Sequence, residues 1–248
     1  MKRMRAMFKG DKSGVYGVVF SPNGRSLASA SFDQSVQIWN IHDGSSKVLG
    51  SGNEFFSLAF SPDGRYVAAG DYKDSLWIWD SRTHTLVAKW RGHTNSVLCI
   101  GFTPDGNGLV SGGLDNMVKY WDTRLLGNRQ GLSSGTIGNG EQCFPEMQTF
   151  LGHSVRCVFL LSCSVKQETF LTQAGIRSIA FFPHNSQWIV TCSNDRSVRV
   201  WDTESGVCQL TIQGHMNSVR GVDVSRIQNF LVTAGHDGHV SVWKYELL

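Results

Sequence analysis

Three sets of side chains in this 248-residue chain could support nucleophilic chemistry. His93 is followed by Ser111 and Asp115, His215 by Thr233 and Asp237, and His153 by Thr191 and Asp195. A histidine between a hydroxyl and a carboxylate is the arrangement in which a base activates a nucleophile. A catalytic constellation, however, occupies one unique pocket, and these sets recur in register. His93 and His215 each stand 18 residues before the hydroxyl, 22 before the acid and 28 before a tryptophan, Trp121 or Trp243. Such recurrence belongs to architecture, so the chain is read as no enzyme. Other chemistries find no footing. His236 and His239 flank a turn glycine without a third metal ligand. The six cysteines contain no C-x-x-C pair and so no zinc or redox motif. The glycine-rich stretch Gly127–Gly140 lacks the Gly-Lys-Ser/Thr of a phosphate loop. No cofactor or metal is expected.

The elements that carry these residues follow from five tryptophan phrases. They are Ser35–Asn40, Ser75–Asp80, Met117–Asp122, Ser197–Asp202 and His239–Lys244, closing on Trp39, Trp79, Trp121, Trp201 and Trp243. Apolar residues alternate within each, which is the strand period. Before the first two lie Ser21-Pro22-Asn23-Gly24 and Ser61-Pro62-Asp63-Gly64, where proline presets the backbone and glycine accepts positive φ, as a hairpin turn requires. Gly-His pairs recur at a fixed distance before Trp121 and Trp243. The same offset from Trp39 and Trp79 lands on Gly10-Asp11 and Gly50-Ser51, the frame kept and the histidine lost. A unit of about 40 residues with Gly-His, Trp-Asp and four short strands resembles the WD40 repeat, each unit being one four-stranded propeller blade. The expected fold is all-β: a single WD-repeat β-propeller over residues 1–248 with five recognisable four-stranded blades, read as a truncated seven-bladed propeller. Arg3–Phe8 is expected to supply the outer strand of the last blade.

Composition agrees. Apolar residues at 41% can fill a core, while 27 glycines against 5 prolines favour many tight turns over long helices. A net charge of +3 is too small and scattered for direct nucleic-acid binding. No apolar run reaches membrane-spanning length, and the basic start Met1–Arg5 lacks the apolar core of a signal peptide. The cysteines read as intracellular thiols.

Two insertions separate Trp121 from Trp201. Residues 124–146, rich in Gly, Ser, Asn and Gln, are expected to form a mobile surface loop between the last two strands of blade three. The second is the 19-residue block Val155–Gln173; removing it restores the repeat frame after Gly152-His153. Valine codons begin with GT and glutamine can be CAG, so the block is read as a retained intron. The alternative is a true loop insertion at a blade boundary, for which the run Val158–Leu161 is a poor exposed composition.

In WD repeats the histidine, hydroxyl, acid and tryptophan join in a buried hydrogen-bonded tetrad. The resemblance therefore implies the sets His93–Ser111–Asp115–Trp121, His153–Thr191–Asp195–Trp201 and His215–Thr233–Asp237–Trp243. Repeat one keeps Ser29, Asp33 and Trp39. Repeat two has Ala69 and its acid at Asp74, so both are expected to rely more on apolar packing. The stretch Ser111–Asp122, followed by a long polar loop and Thr149–His153, and the ending Val242–Tyr245 resemble the propeller of the fungal general transcriptional corepressors related to Groucho. That resemblance implies a nuclear binding platform recruited by DNA-binding repressors and paired with a tetratricopeptide-repeat adaptor. Histones and deacetylases are further implied partners. A scaffold of another assembly, such as a ubiquitin-ligase substrate receptor, is the alternative. By register, one rim of the propeller should present Tyr16, Phe32, Phe56, Lys73, Leu98, Leu114, Arg177, Asn194, Arg220 and His236 to a partner.

Overall fold

Each repeat tryptophan lies near the end of the third strand of an antiparallel sheet. The computed structural model describes residues 13–127, 146–150, 174–183 and 185–245. Blade one contains β1 (Val15–Phe20), β2 (Ser26–Ser31), β3 (Ser35–Asn40) and β4 (Ser46–Ser51). Blade two contains β5 (Phe55–Phe60), β6 (Tyr66–Asp71), β7 (Ser75–Asp80) and β8 (Leu86–Arg91). Blade three contains β9 (Val97–Phe102), β10 (Gly108–Gly113), β11 (Val118–Asp122) and β12 (Glu146–Phe150). Blade four contains β13 (Ile176–Phe182), β14 (Asn185–Ser193), β15 (Ser197–Asp202) and β16 (Cys208–Gln213). Blade five contains β17 (Val219–Val224), β18 (Phe230–Gly235) and β19 (Val240–Lys244). Every strand pairs with its neighbour in the chain, giving four four-stranded sheets and one three-stranded sheet among the described residues. The expected outer strand of blade five, Arg3–Phe8, lies outside the described residues.

The turns form as their residues dictate. Ser21 Oγ donates to Asn23 Oδ1 at 2.8 Å, the Gly24 N–H returns to the Ser21 carbonyl, and Gly24 takes φ of 67°. A single blade exposes both faces of its sheet, so stability requires blades to stack. The innermost strands pack in series, β1 on β5, β5 on β9, β9 on β13 and β13 on β17. A separate apolar cluster fills each of the four interfaces between successive sheets. No strand of blade five packs broadly on blade one among the described residues. Among the described residues the five blades form an arc rather than a closed ring.

The 124–146 segment departs from a loop at both ends. Arg124–Gly127 forms a 3-10 turn that buries Leu126, whose carbonyl accepts from Tyr66 Oη at 3.2 Å. Glu146 already begins β12, which pairs with β11. The residues between, like Val155–Gln173, lie outside the described residues. The blade-four frame resumes directly afterwards: Ala174 accepts from Ser193 Oγ and Gly175 from the Asn194 N–H.

Candidate interaction surface

Each tetrad is built from the segment before the inner strand, which carries the histidine, the turn between the second and third strands, which carries the acid, and those two strands, which carry the hydroxyl and the tryptophan. In blade three, Trp121 Nε1–H donates to Ser111 Oγ at 2.9 Å, Ser111 Oγ lies 2.7 Å from His93 Nε2, and His93 Nδ1 lies 2.9 Å from both Asp115 oxygens. Indole N–H can only donate and a carboxylate only accept. The hydroxyl therefore accepts the indole proton, and the imidazole donates its Nδ1 proton to the carboxylate. Blade five repeats the set at 3.0 Å for Trp243–Thr233, 2.8 Å for Thr233–His215 and 3.0 Å for His215–Asp237. Burial raises the Asp115 carboxyl's pKa, yet the bonds from His93, Thr94 and Met117 outweigh that and hold it below the usual range. Asp237 is likewise held low against its desolvation, by the His239 and Met216 amides and His215.

Ser111 and Thr233 are buried and already spend an acceptor site on indole. Neither offers a substrate an approach. In blade four Trp201 Nε1 donates to Thr191 Oγ1 at 2.7 Å and Asp195 caps the Ser197 amide; His153 lies outside the described residues. Blade one keeps the Trp39–Ser29 bond at 2.9 Å. The glycine of the Gly-His pair has a packing reason. A Cβ at Gly50, Gly92 or Gly214 would stand 2.5, 3.0 or 2.9 Å from the indole of Trp79, Trp121 or Trp243, so the backbone lies directly against the ring.

Blade two corrects the expectation that its acid is Asp74 and that it relies more on apolar packing. Its buried acid is Asp71, not Asp74. Asp71 Oδ2 accepts from Trp77 Nε1 at 2.9 Å and Asn53 Nδ2 at 2.6 Å, and Oδ1 accepts the amides of Lys73, Asp74 and Ser75. Asp74 instead pairs with Arg91 at 3.0 Å. The other four blades place a residue with positive φ in this turn, Gln34, Asn116, Arg196 or Gly238. Here Asp71 holds the turn from inside.

The rim is set by a repeated irregularity. Each innermost strand carries a β-bulge at its second residue, so that Tyr16, Phe56, Leu98, Arg177 and Arg220 are skipped in the pairing with the next strand. A bulge re-aims the side chain it carries. Beside each bulge lies a residue of the turn between the second and third strands, whose amide bonds back to the residue before the inner strand. Phe32 bonds to Gly14, Leu114 to Ser96, Asn194 to Gly175 and His236 to Ser218, and in blade two Tyr72, rather than Lys73, bonds to Glu54. Lys73 is exposed next to it. The residues meet both within and between blades. Tyr16 contacts Phe32 and Phe56 with centroids at 5.9 and 5.1 Å, and Phe56 contacts Tyr72 at 5.8 Å. Leu98 and Leu114 converge over Gly175. Arg177 Nε donates to Asn194 Oδ1 at 2.7 Å. Counting back seven residues from Trp79 would have found Tyr72; the bulges leave no mark in the sequence.

The family model for the WD domain, G-beta repeat, matches residues 2–40, 45–80, 84–122, 165–202 and 206–244. The chain belongs to the WD-repeat family. WD-repeat propellers are in general non-catalytic scaffolds, in keeping with tetrads that serve the blade interior. Among relatives of this WD-repeat chain, the "Nuclear distribution protein PAC1" of Komagataella phaffii is 39% identical over 62 residues, 25% of this chain and 12% of that protein. The "Transcriptional repressor rco-1" of Neurospora crassa is 36% identical over 75 residues, 28% of this chain and 12% of that protein. The matched stretches thus span about an eighth of these relatives' length. The solved "Structure of U3-55K" superposes with a TM-score of 0.74 at 21% identity, covering 96% of this chain and 63% of that one, which speaks to the fold. No helix among the described residues is long and apolar enough to cross a membrane.

Proposed function

We propose that this WD-repeat chain is a nuclear protein-interaction scaffold of the corepressor type, docking segments of DNA-binding repressors on the bulged rim. The observation that carries the reading is the five-fold bulge, which aims Tyr16, Phe56, Leu98, Arg177 and Arg220 to one side of five rigid sheets. Aromatic and arginine side chains are the types that dominate binding energy at interfaces. Rigid sheets keep the ordering cost low, because the contact residues are in place before the partner arrives. The similarity to rco-1, a transcriptional repressor by name, supports the repressor branch.

An array of peptides tiled from DNA-binding repressors tests the reading. Binding to the full chain is expected, and Tyr16→Ala or Leu98→Ala should weaken it by about 2 kcal/mol at a true anchor while leaving the melting temperature unchanged. Peptides that bind both variants as tightly as the parent would remove the rim from the function.

A further inference from the structure

The rim is chemically polarised from one end of the arc to the other. At the blade-one and blade-two end, Tyr16 is 57% exposed and lies edge-on to Phe56, which in turn touches Tyr72. These rings pack against one another rather than around an empty space, which makes a platform and not a cage for a cation. The middle of the rim, where Leu98 and Leu114 meet over Gly175, is apolar. At the blade-four and blade-five end the same bulge positions hold two arginines. Arg177 is oriented by the Asn194 side-chain oxygen, and Arg220 is exposed on the next inner strand. Neither has an ion-pair partner among the described residues. Burial lowers the Arg177 pKa first, and the like charge of Arg220 lowers it further. Arg177 and Arg220 thus hold the same bulge position on two packed inner strands, and a carboxylate from outside would relieve their like charge.

Resting on the reading of the rim as the docking surface, we infer that its partner is an extended acidic-aromatic peptide. Its aromatic or leucine anchor sits on Tyr16 and Phe56, and an aspartate or glutamate bridges Arg177 and Arg220. The spacing follows from the fold. Phe56 and Arg177 stand at the same position of β5 and β13, two blades apart with β9 between them. Packed sheets are separated by about 10 Å, less where inner strands converge, so the span is roughly 15–20 Å, or five to six extended residues at about 3.3 Å each. Leu98 and Leu114 lie under the middle of that span and favour an apolar or small residue there.

A random 12-residue peptide library selected on the immobilised full chain tests the inference. Enriched peptides are expected to pair Phe, Tyr, Trp or Leu with Asp or Glu five or six positions away. Replacing that acid by glutamine or lysine, or introducing Arg177→Gln together with Arg220→Gln, should weaken binding about tenfold. Raising salt from 0.1 to 0.5 M should weaken binding of the acidic peptides severalfold and not of their glutamine counterparts. Arg220 is exposed and Arg177 lies at the bulge, so the double variant should keep the parent's circular dichroism and melting temperature. Enriched peptides that depend on Tyr16 but carry no acidic bias, and bind the double arginine variant equally well, would overturn the polarity while leaving the rim as the docking surface. Peptides indifferent to both Tyr16→Ala and the arginine pair would overturn the rim itself, and so would a selection that enriches nothing.

Discussion

Val198 and Val240 occupy the same place in the third strand of blades four and five, three residues before the tryptophan. Val198 is 1% exposed and Val240 69%. Phe102 and Phe20 end the inner strands of blades three and one, at 7% and 65%. Residue type and strand register are the same or nearly so; what differs is whether another sheet lies alongside. Full burial of such a side chain is worth about 1.5–3 kcal/mol. The interior interfaces therefore hold most of the stability. The outer faces of blades one and five have apolar surface without an interface among the described residues, and such sheets open first and associate most readily.

The largest expected effect comes from truncating the two kinds of face at matched positions. Leu76 in β7 is the blade-two counterpart of Val240 and is fully buried. Leu76→Ala should cost about 2–5 kcal/mol, because a cavity remains where the neighbouring sheets cannot collapse. Val240→Ala should change stability by less than about 0.5 kcal/mol. Urea unfolding of both variants checks this, and equal losses would mean that the terminal faces are buried in solution.

The comparison sharpens inside the blades. Asp71→Ala strips the partner from Trp77 Nε1, from Asn53 and from three backbone amides at once, and should cost about 3 kcal/mol or more. Ser29→Ala in blade one orphans chiefly the Trp39 indole and should cost about 1–2 kcal/mol. Thermal unfolding of the two variants side by side would show whether blade two depends on its carboxylate; a near-neutral Asp71→Ala would mean that it does not.

Acid should act through the tetrads of blades three and five. The carboxyls of Asp115 and Asp237 titrate lower folded than unfolded. Their contribution is therefore complete above the ordinary aspartate pKa of about 4 and is lost as pH falls through the folded values. Stability measured from pH 5 down to pH 2 should fall, and Asp115→Asn should flatten that slope while lowering stability at pH 7. A slope unchanged in the variant would assign the acid sensitivity elsewhere.

The smallest effect concerns the interval between blades three and four. Directly after Val155–Gln173, Ala174 and Gly175 already make the contacts of the blade-four frame. Deleting that block is expected to raise the melting temperature by a few degrees, within the range of about 2–4 °C per kcal/mol for a chain of this size, and to raise soluble yield. A deletion variant that melts lower than the parent would show that the block belongs to the fold.

Much of this molecule could be read from spacing. The alternation before each tryptophan and the Pro-Gly turns specify strands and hairpins because both depend on neighbours within a few residues. The tetrads of blades three and five were legible because hydroxyl, acid and indole sit at fixed offsets along one hairpin. Blade two misled by its acids. Asp74 lies nearest the turn in sequence, but Asp71 ends β6 pointing inward, and only the packed sheet puts Asn53 and Trp77 beside it. Leu126 looked like part of a polar loop and became core, because the groove between blades two and three offers it Tyr66.

Blade number and strand order are local or periodic properties, carried by a pattern of about 40 residues repeated along the chain. The bulges, the aromatic contact from Tyr16 across to Phe56, and the exposure of Phe20 and Val240 are not. Each depends on which sheet stands next to which and on how far the arc extends. Those are long-range contacts, and the same valine or phenylalanine satisfies the strand period whether another sheet covers it or water does.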